Sequence, residues 1–574
     1  MATGSEKRFS AVGSAVDLPQ LEHGVLDLWK AEGTFEALRA KNAGGAPWSF
    51  IDGPITANVE AMGIHHAWGR TYKDVYQRYK AMQGFHQRYQ NGFDCQGLWV
   101  EVQVERELAL NSKRDIESYG IARFSEACRA RVDRSAAAIT KQSIRLGQWM
   151  DWDHSYYTYD DNNISHIWQV LKTCQENGWL YKGHRSMPWC ARCGTALSQH
   201  EMIDSYREMT HLSVYVRFPV VRSGPALPAP NVPQSEEPHS EESFLVWTTT
   251  PWTLPANVAL AVHPELEYVR VKVGDEVVVL GKTVYASAEW PDATVLGTVK
   301  GRDLVGLTFS GPFDDLPATV DARAHHRVIA WEDVSEAEGT GIVHIAPGCG
   351  AEDFALSKSE GLPVLIPIDD QARFHPGYGW LAGKGARDVA QEIADDLKAR
   401  GRLFRAAPYT HRYPECWRCH EEIVFRVDDE WFISMQELRP KLIEAARAVN
   451  WVPAAAGRRM ENWLQSMGDW NISRKRYWGL PLPFYNCVNG HFFVVGSEEE
   501  LRERATAGLD QLRELHRPWI DDVAVACPDC SAASTRIKEV GDAWLDAGIV
   551  PFSTLDYLHD RQHWERWFPA EYIV

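Results

Sequence analysis

The sequence lacks any uninterrupted apolar run near the ~18 residues that a membrane-crossing helix needs. Its N-terminus, MATGSEKRFSAVGSAVDLPQ, also lacks the apolar core of a secretion signal. The first absence excludes a helical membrane protein, and the second predicts a cytoplasmic protein without a membrane partner. Of the 574 residues, 45% are hydrophobic and 24% charged, as in ordinary globular proteins. At about 100–200 residues per domain, the length predicts three or more domains.

Two common nucleotide-binding signatures are also missing. Residues 377–384, GYGWLAGK, resemble a phosphate loop, but the spacing differs and no Ser or Thr follows the lysine. No GxGxxG motif follows a strand-like run, so a nicotinamide dehydrogenase has little support. The net charge of −18 disfavours a protein that coats nucleic acid non-specifically, although local basic contacts to RNA remain compatible with it.

The eleven cysteines are an odd number, which disfavours a disulfide framework. Six of them form Cys-x-x-Cys pairs, and two of these pairs stand in similar contexts, PWCARCG and PECWRCH. This similarity favours one tetrahedral zinc site over buried free thiols, with the ligands Cys190, Cys193, Cys416 and Cys419. A shared ion would hold together the two ends of segment 194–415. The pattern therefore predicts an inserted domain whose entrance and exit are joined by zinc.

The third cysteine pair, Cys527 and Cys530, needs two further ligands. Cys487 and His491, in CVNGH, are the nearest candidates. A second zinc site and an ordinary surface histidine are equally compatible with this less regular set. Neither predicted zinc site is catalytic, because four protein ligands leave no open position for water.

The first part of the chain has the pattern of an α/β domain. Residues 1–45 are predicted to be helical, and WSFIDGP, at 48–54, reads as a short buried strand that ends in a turn. The run KDVYQRYKAM then predicts a helix with Val75, Tyr79 and Met82 on one face. Strand, loop and helix in this order are typical of the opening of a nucleotide-binding domain.

The middle of the chain, from about 206 to 405, is predicted to be rich in strands. The strand-like runs include LSVYVRF, SFLVWTTT, YVRVKV, EVVVL and TGIVHIA. Within this segment, residues 221–243 are rich in Pro, Ser and Glu and are predicted to form a solvated loop. ARDVAQEIADDLKARG predicts an amphipathic helix that ends at Gly401.

Seven segments spread over nearly the whole chain resemble class I aminoacyl-tRNA synthetases, and isoleucyl-tRNA synthetases in particular. They are, in the order of the family, IDGPITAN, GIHHAWGRTYKDVYQRY, NGFDCQGLWVE, VWTTTPWTLPAN, GTGIVHIAPGCGAEDF, ISRKRYWGLPLP and GDAWLDAG. Valyl and leucyl relatives carry an arginine where this chain has Thr250, which favours isoleucine.

The resemblance implies an α/β fold in which a Rossmann-type catalytic domain is split by a large insertion with a β-rich editing domain and zinc knuckles. The expected divisions are an N-terminal helical extension (1–45), the first catalytic half (46–189), the entry of the insertion (190–205), the editing domain (206–405), the return of the insertion (406–535) and the start of the second catalytic half (536–574).

The resemblance also implies the reaction. Isoleucine would attack the α-phosphate of ATP, supplied with Mg²⁺, and the acyl group would then pass to tRNA(Ile), all on a monomeric protein. By the same resemblance Gly53 and Pro54 line the substrate pocket, and Asp94 holds the ammonium group of the amino acid. Trp544 would form a wall for the isoleucine side chain, although a plain core tryptophan is the alternative.

Editing is implied because one methylene gives a pocket only about 1–3 kcal/mol of discrimination, and isoleucine against valine is the standard example of this limit. The family's editing site matches Thr248, Thr249, Thr250, His344 and Asp353. Asp353 would anchor the ammonium group of the mischarged amino acid, and the threonines would exclude isoleucine. Alone, the three threonines would indicate only a β-strand, but PWTLPAN and GAEDF nearby favour the editing site.

The family's usual His-x-Gly-His signature appears here as GIHH, from Gly63 to His66. His66 is retained, while histidine and glycine have exchanged places at 63 and 65. A dead active site, a tolerated drift and a rearranged loop are the alternatives. We favour a rearranged loop in which His65 takes over the missing role, and a protonated histidine can donate hydrogen bonds to phosphate.

The chain ends at WFPAEYIV, before the KMSKS loop that the family places further on. The resemblance therefore predicts an N-terminal portion of a synthetase. One hypothesis is an isoleucine–tRNA ligase of which this portion holds most catalytic residues and all editing residues. The alternative is a module that does not activate isoleucine and retains only deacylation of mischarged tRNA or tRNA binding.

Overall fold

The computed structural model describes residues 15–202, 205–221, 242–287, 290, 292–337 and 339–573. Of the loop predicted at 221–243, residues 222–241 lie outside the described part of the chain. In chain order the α-helices are α1 (Leu18–Glu32), α2 (Thr34–Asn42), α3 (Ile64–Met82), α4 (Leu98–Glu107), α5 (Lys113–Tyr119), α6 (Ile121–Arg145), α7 (Asp161–Glu176), α8 (Lys282–Ala286), α9 (Val320–Arg323), α10 (Ala351–Glu360), α11 (Ala390–Ala399), α12 (Leu438–Ala448), α13 (Ala454–Ser466), α14 (Glu498–Arg504), α15 (Trp544–Gly548), α16 (Val550–Ser553) and α17 (Arg561–Trp567).

The strands are distributed over several small sheets rather than one. In chain order they are β1 (Ile55–Thr56), β2 (Gln90–Asp94), β3 (Asp151–Tyr157), β4 (Leu180–Cys190), β5 (Thr195–Ala196), β6 (Tyr206–Val221), β7 (Glu242–Thr248), β8 (Ala259–Val262), β9 (Glu267–Val273), β10 (Glu276–Gly281), β11 (Ala293–Lys300), β12 (Thr308–Phe309), β13 (Val328–Ala330), β14 (Ile342–Ile345), β15 (Leu403–Pro414), β16 (Val424–Ile433), β17 (Trp470–Asn471), β18 (Ser473–Arg474), β19 (Phe484–Cys487), β20 (Phe492–Val494), β21 (Ala505–Ala507), β22 (Ala524–Ala526), β23 (Ala533–Arg536) and β24 (Val540–Gly541).

The chain divides into two compact units. The first comprises Met1–Ala109, Ile116–Thr173 and Tyr477–Val574, and the second comprises Leu110–Asp115 and Cys174–Arg476. The stretch from 406 to 535, expected as the return of the insertion, is thus divided between the two units. None of the described helices combines the length and the apolar character that crossing a bilayer requires.

The first unit is built on a parallel sheet in the order β1-β2-β3. Helix α3 connects β1 to β2, and helices α4 to α6 separate β2 from β3, as expected for parallel neighbours. Before β1, Phe50 makes a further parallel bridge to Tyr572. Trp48, Phe50, Tyr89 and Met150 form a buried aromatic cluster in this unit. This alternation confirms the predicted α/β order, but the strand predicted at 48–54 is wrong: Phe50 makes only an isolated bridge there, and the strand lies at Ile55–Thr56.

The buried face of helix α3 is not the apolar face predicted from the sequence. Val75, Tyr79 and Met82 do share one face, but this face is more than half exposed. The buried residues of the helix include Arg70 and Gln77, which are polar. Their side chains are partly satisfied: Arg70 Nη1 donates to Gln148 Oε1 at 3.1 Å, whereas Arg70 Nε, Arg70 Nη2 and Gln77 Oε1 have no hydrogen-bond partner among the described residues.

The second unit carries the predicted strand-rich segment. Its largest sheet has the order β11-β9-β10-β7-β6-β12, with β15 paired to β6, and a three-stranded sheet has the order β13-β8-β14. The runs predicted as strands all fall on described strands of these sheets, and the predicted amphipathic helix is α11. Alternate residues of β6 and β7 pack with α11 into one buried apolar core.

The chain enters and leaves this segment along paired strands. Strand β4 runs antiparallel to β16 from Leu180 to Trp189, and β6 runs antiparallel to β15 up to the pair Tyr206–Pro414. Between the two ladders lie only two short connections, 191–205 and 415–423. The Cys-x-x-Cys pairs of this unit lie at this junction, one in each passage of the chain.

Candidate functional site

The residues expected to hold the amino acid lie on two neighbouring strands of the first unit. Gly53 and Pro54 directly precede β1, and Asp94 is the last residue of β2. The strands are parallel, and Thr56 of β1 pairs with Asp94. The structure therefore places these three residues at one part of the sheet, beside the loop that leads to α3.

Asp94 has the environment of a cation-binding carboxylate. Burial raises its pKa to about 7, and hydrogen bonds from the backbone N–H groups of Gln96 and Cys95 only partly oppose this effect. Its Oδ1 atom is buried and has no hydrogen-bond partner among the described residues. A carboxylate oxygen in this state can accept a charge-assisted hydrogen bond from an ammonium group.

Trp544 is the first residue of α15 and is 55% exposed, so it is not a core tryptophan. Its helix is tied to the end of β2 through Gln96, whose Nε2 donates to Asp546 Oδ1 at 3.1 Å. Sequence reasoning did not single out Gln96 or Asp546. Both lie inside the motifs that carried the resemblance, and the fully buried side chain of Asp546 distinguishes it.

The variant signature forms the start of α3. Gly63 precedes the helix, and its backbone N–H donates to His66 Nδ1 at 3.3 Å. The ring centroids of His65 and His66 are 3.8 Å apart, and the side chain of His65 is exposed. Burial, with smaller contributions from His65 and Arg70, lowers the pKa of His66. His66 is therefore neutral at neutral pH, and its Nδ1 atom accepts.

Glycine at 63 and histidine at 65 are sterically linked. A Cβ atom at 63 would lie 2.8 Å from the His65 Cε1 atom, closer than carbon atoms approach without movement. A side chain at 63 therefore requires the His65 ring to move. The exchange of the two residues relative to the usual signature is consistent with this constraint.

A largely buried ion pair fixes α3 against the segment that precedes β1. Lys73 Nζ lies 2.5 Å from Asp52 Oδ1, and the side chains are 13% and 1% exposed. Asp52 directly precedes Gly53, so the pair joins the expected substrate loop to the helix that GIHH begins. Sequence reasoning missed this pair, although both residues lie in the quoted motifs.

A cavity of about 500 Å³ in the second unit is lined by all five residues expected to carry editing. The threonine run begins at Thr248, the last residue of β7, while His344 lies in the middle of β14 and Asp353 in the first turn of α10. Three separate elements thus converge on one cavity, whose lining includes Thr248, Thr249, Thr250, His344 and Asp353. Trp247, Trp331 and Tyr413 provide aromatic walls.

Asp353 gives this cavity a titratable negative charge. Its Oδ2 atom accepts a hydrogen bond from the backbone N–H of Ala346 at 2.8 Å. Burial raises the pKa of Asp353 to about 6, and the hydrogen bond from Ala346 opposes this rise. The carboxyl group is therefore mostly ionised at pH 7 and can bind a cation.

The imidazole of His344 is neutral, and both of its nitrogen atoms are engaged in hydrogen bonds, to Asn257 and Thr253. Burial lowers its pKa to about 4. Asn257 Nδ2 lies 2.9 Å from the Ala259 carbonyl oxygen, which fixes the amide orientation, and 3.4 Å from His344 Nδ1. The Nδ1 atom must therefore accept, which places the proton on Nε2 and directs it to Thr253 Oγ1 at 2.8 Å.

The same chain of hydrogen bonds continues to the threonine run. Thr253 Oγ1 donates to the carbonyl oxygen of Thr250 at 2.8 Å, and the Thr250 N–H donates to Thr248 Oγ1 at 3.0 Å. His344 thus positions the threonines through Thr253. Sequence reasoning missed Thr253 and Asn257, which lie in the quoted PWTLPAN.

Four thiols come together at the junction of the paired strands. Their Sγ atoms lie within 4.8 Å of one another, with Cys190–Cys419 at 3.5 Å and Cys193–Cys419 at 3.7 Å. These distances are too long for a disulfide, in which the sulfur atoms are ~2.05 Å apart. Tetrahedral Zn–S bonds of ~2.3 Å would give sulfur separations of about 3.8 Å. The four side chains, including Cys416, could therefore hold one metal ion.

The second group lies in the first unit, on the sheet with the order β20-β19-β23-β22-β21. Its four ligand atoms also lie within 4.8 Å of one another. The Sγ atoms of Cys487 and Cys530 are 3.3 Å apart, and Cys527 Sγ is 3.4 Å from His491 Nδ1. His491 is thus not an isolated surface histidine, and this group too could hold a metal ion.

Comparison with known proteins agrees with this geometry. The model of the family described as tRNA synthetases class I (I, L, M and V) matches residues 24–574. The chain belongs to this family. The membership confirms the resemblance to class I synthetases and, with it, the predicted fold class of a synthetase catalytic domain.

Curated relatives of the chain within this family are isoleucine–tRNA ligases. The chain is 37% identical to the one from Streptomyces coelicolor, over 99% of the chain and 53% of the relative. It is 38% identical to the ligase from Thermus thermophilus, over 99% of the chain and 52% of the relative. It is 37% identical to the ligase from Methanothermobacter marburgensis, over 96% of the chain and 51% of the relative. The chain spans about half the length of the relatives it matches.

The raised pKa of Asp353 predicts a pH-dependent stability. The folded chain holds this proton more tightly than the unfolded chain, so the carboxyl group makes the fold less stable as pH rises from about 4 to about 6. Asp353→Asn removes this dependence. The variant should gain stability relative to the wild type as pH rises through this window, measured by urea unfolding between pH 4 and 7. If the difference in stability between Asp353→Asn and the wild type did not change with pH, this would contradict the burial of the Asp353 charge.

Proposed function

We propose that the chain provides the amino-acid-activating and editing sites of an isoleucine–tRNA ligase. In this proposal ATP, with Mg²⁺, and isoleucine bind to the first unit, and tRNA(Ile) presents a mischarged valine to the second. The observation that carries the proposal is the cavity of about 500 Å³ in which Thr248, Thr249, Thr250, His344 and Asp353 converge. The names of the relatives and threonine at 250 support isoleucine as the substrate.

In the activation step the protein mainly positions charges. Asp94 would hold the ammonium group of isoleucine, which leaves the carboxylate free to attack the α-phosphate of ATP. The N-terminal N–H groups of α3 favour a phosphate group there. His65 is exposed beside them and would donate to the phosphates once protonated, whereas His66 is engaged with Gly63.

In the editing step the second unit would bind the mischarged amino acid. Ionised Asp353 would anchor its ammonium group, and the threonine run, held by His344 through Thr253, would limit the size of the side chain that enters. His344 has no nitrogen free for proton transfer, because Asn257 and Thr253 occupy both. We therefore assign His344 a positioning role. The hydrolytic water must be activated by another group, such as the tRNA terminus.

We further propose that both cysteine groups bind zinc, that the editing domain occupies the expected stretch 206–405 within the second unit, and that the protein acts as a monomer in the cytoplasm. The alternative function is a module that only deacylates mischarged tRNA. The described editing cavity favours this alternative, since it lies entirely within the second unit. The same assays distinguish the two functions.

The first experiment measures isoleucine-dependent exchange of pyrophosphate into ATP and, separately, deacylation of Val-tRNA(Ile). We expect both activities, because the residues proposed for each site lie together, Gly53, Pro54 and Asp94 in the first unit and the lining of the cavity in the second. Deacylation without exchange would support the editing-only function. Asp353→Ala should abolish deacylation and leave exchange unchanged. Glu352→Ala is the matched control, since Glu352 is exposed beside it. Wild-type deacylation by Asp353→Ala would contradict the editing assignment.

The second prediction concerns His65. His65→Ala should weaken ATP binding at least about tenfold, because a hydrogen bond to a charged group contributes ~1.5–3 kcal/mol. Exchanging Gly63 and His65 together should retain binding, since the two side chains then no longer compete for space. Equilibrium binding of ATP measures both effects. His23→Ala, on the exposed surface of α1, is the control. Unchanged ATP affinity in His65→Ala would contradict the role of His65.

The third prediction concerns zinc. Cys416→Ser should reduce bound zinc by one equivalent and lower the unfolding temperature, since the ion joins both passages of the chain. Metal analysis and thermal unfolding measure these changes. Cys174→Ser, a buried thiol outside both groups, is the control and should retain the zinc. Folded wild-type protein without zinc would contradict the assignment.

A further inference from the structure

A second cavity, of about 320 Å³, lies in the first unit at the end of the parallel sheet where the strands begin. Gln90, the first residue of β2, and Asp151, the first residue of β3, both line it. Asp94 lies at the opposite end of β2, roughly 13 Å along the strand at 3.3 Å per residue. We call this second cavity the basic cavity, since its lining includes Arg39, Arg88, Arg566, His86, His154 and His563.

The positive charge of the basic cavity exceeds its negative charge. Asp151 is the one carboxylate among the described residues that line it. This carboxylate already contacts Arg39 Nη2 at 3.0 Å and His154 Nδ1 at 2.8 Å. Within the described part of the chain, no acidic residue pairs with Arg88 or Arg566. Two guanidinium groups therefore face the cavity without a counter-charge.

Arg88 is the buried member of this set. One terminal nitrogen, Nη2, donates to Gln90 and to the carbonyl oxygen of Thr554, the latter at 2.7 Å. The other, Nη1, is buried and has no hydrogen-bond partner among the described residues. A buried guanidinium is expected to have acceptors for its N–H groups. An anion in the cavity would supply the acceptor and the missing charge together.

Two histidines of the cavity respond to the same excess of charge. Burial, then Arg566 and Arg39, lower the pKa of His86, whose Nδ1 atom accepts from Arg566 Nη2 at 3.2 Å. Burial, then Arg88, lowers the pKa of His563. Arg566 acts in the same direction there, while the nearby carboxylates of Asp560 and Asp556 act against it. Bound negative charge would reverse the repulsion and raise both pKa values.

We propose that the basic cavity is a binding site for a phosphate group, separate from the sites of the proposed function. Forked guanidinium groups match the several acceptor oxygens of phosphate, and two of them here lack any other charged partner. The phosphate is either a free ion, such as inorganic phosphate or pyrophosphate, or the terminal group of a mononucleotide. Both sources offer the same doubly charged oxygens to the arginines.

The test follows the imidazole signals of His86 and His563 by NMR in the full chain. Titration with inorganic phosphate, pyrophosphate or AMP should raise the protonation constants of both histidines about tenfold at saturation. Tighter binding of AMP identifies a nucleotide site, and equal or tighter binding of the inorganic ions identifies a free-phosphate site. No response at millimolar concentrations of any of the three would overturn the proposal.

Paired variants separate this cavity from other anion sites. Arg566→Gln should weaken binding at least tenfold, while Arg561→Gln, on the same helix but outside the cavity lining, should bind like the wild type. Arg566 is exposed, so its substitution leaves the fold intact. The double variant His65→Ala, His66→Ala should also retain binding. If Arg566→Gln and Arg561→Gln bound the anion equally well, or if the double histidine variant lost anion binding, the anion would be bound elsewhere. Either result would overturn the proposal.

Discussion

The geometry of the second unit depends on the pairing of the strands that enter and leave its strand-rich segment. The β4–β16 and β6–β15 ladders end on either side of the four thiols, whose separations of 3.5 and 3.7 Å suit one tetrahedral ion. The register that starts with Tyr206–Pro414 continues along β6 to Val214, which pairs with Thr248 of β7. A slip of one residue would turn each strand's buried face outward. The thiol junction therefore also constrains the position of the threonine run.

The electrostatics of the cavity that holds the threonine run follow from burial acting on two different groups. Burial favours the neutral form of both, so it lowers the pKa of His344 to about 4 and raises that of Asp353 to about 6. At pH 7 the histidine is neutral and the carboxylate is charged. Asp353 thus contributes negative charge to the cavity lining, which also includes the acidic Asp333, and His344 contributes no opposing imidazolium. This arrangement suits a ligand with an ammonium group. The hydrogen-bonded chain through Thr253 needs the same neutral histidine, because Nδ1 must accept.

The sequence predicted the strands and the metal-ligand spacings more accurately than it predicted which side chains are buried. The strands of the second unit contain Val-rich runs such as YVRVKV and EVVVL, and the cysteine pairs have spacings that metal ligation requires, so both could be predicted. The orientation of α3 was not, since Arg70 and Gln77 are buried by hydrogen bonds that no periodicity reveals. Asn257 and Thr253 were missed for a related reason. Their importance comes from contacts with His344, which is about ninety residues away in sequence.

Two carboxyl groups of the first unit, Asp94 and Asp546, lie in environments that disfavour their charge. Asp546 is fully buried, and burial, with repulsion from Asp94 and Asp542, raises its pKa well above the usual range. Burial raises the pKa of Asp94 only to about 7, because backbone N–H groups partly stabilise its charge. Burial therefore disfavours the charge of both carboxyl groups, and for Asp94 the backbone N–H groups partly offset this effect. In the proposed function an ammonium group bound at Asp94 would stabilise the ionised form of this carboxyl group by the same attraction that holds the ligand.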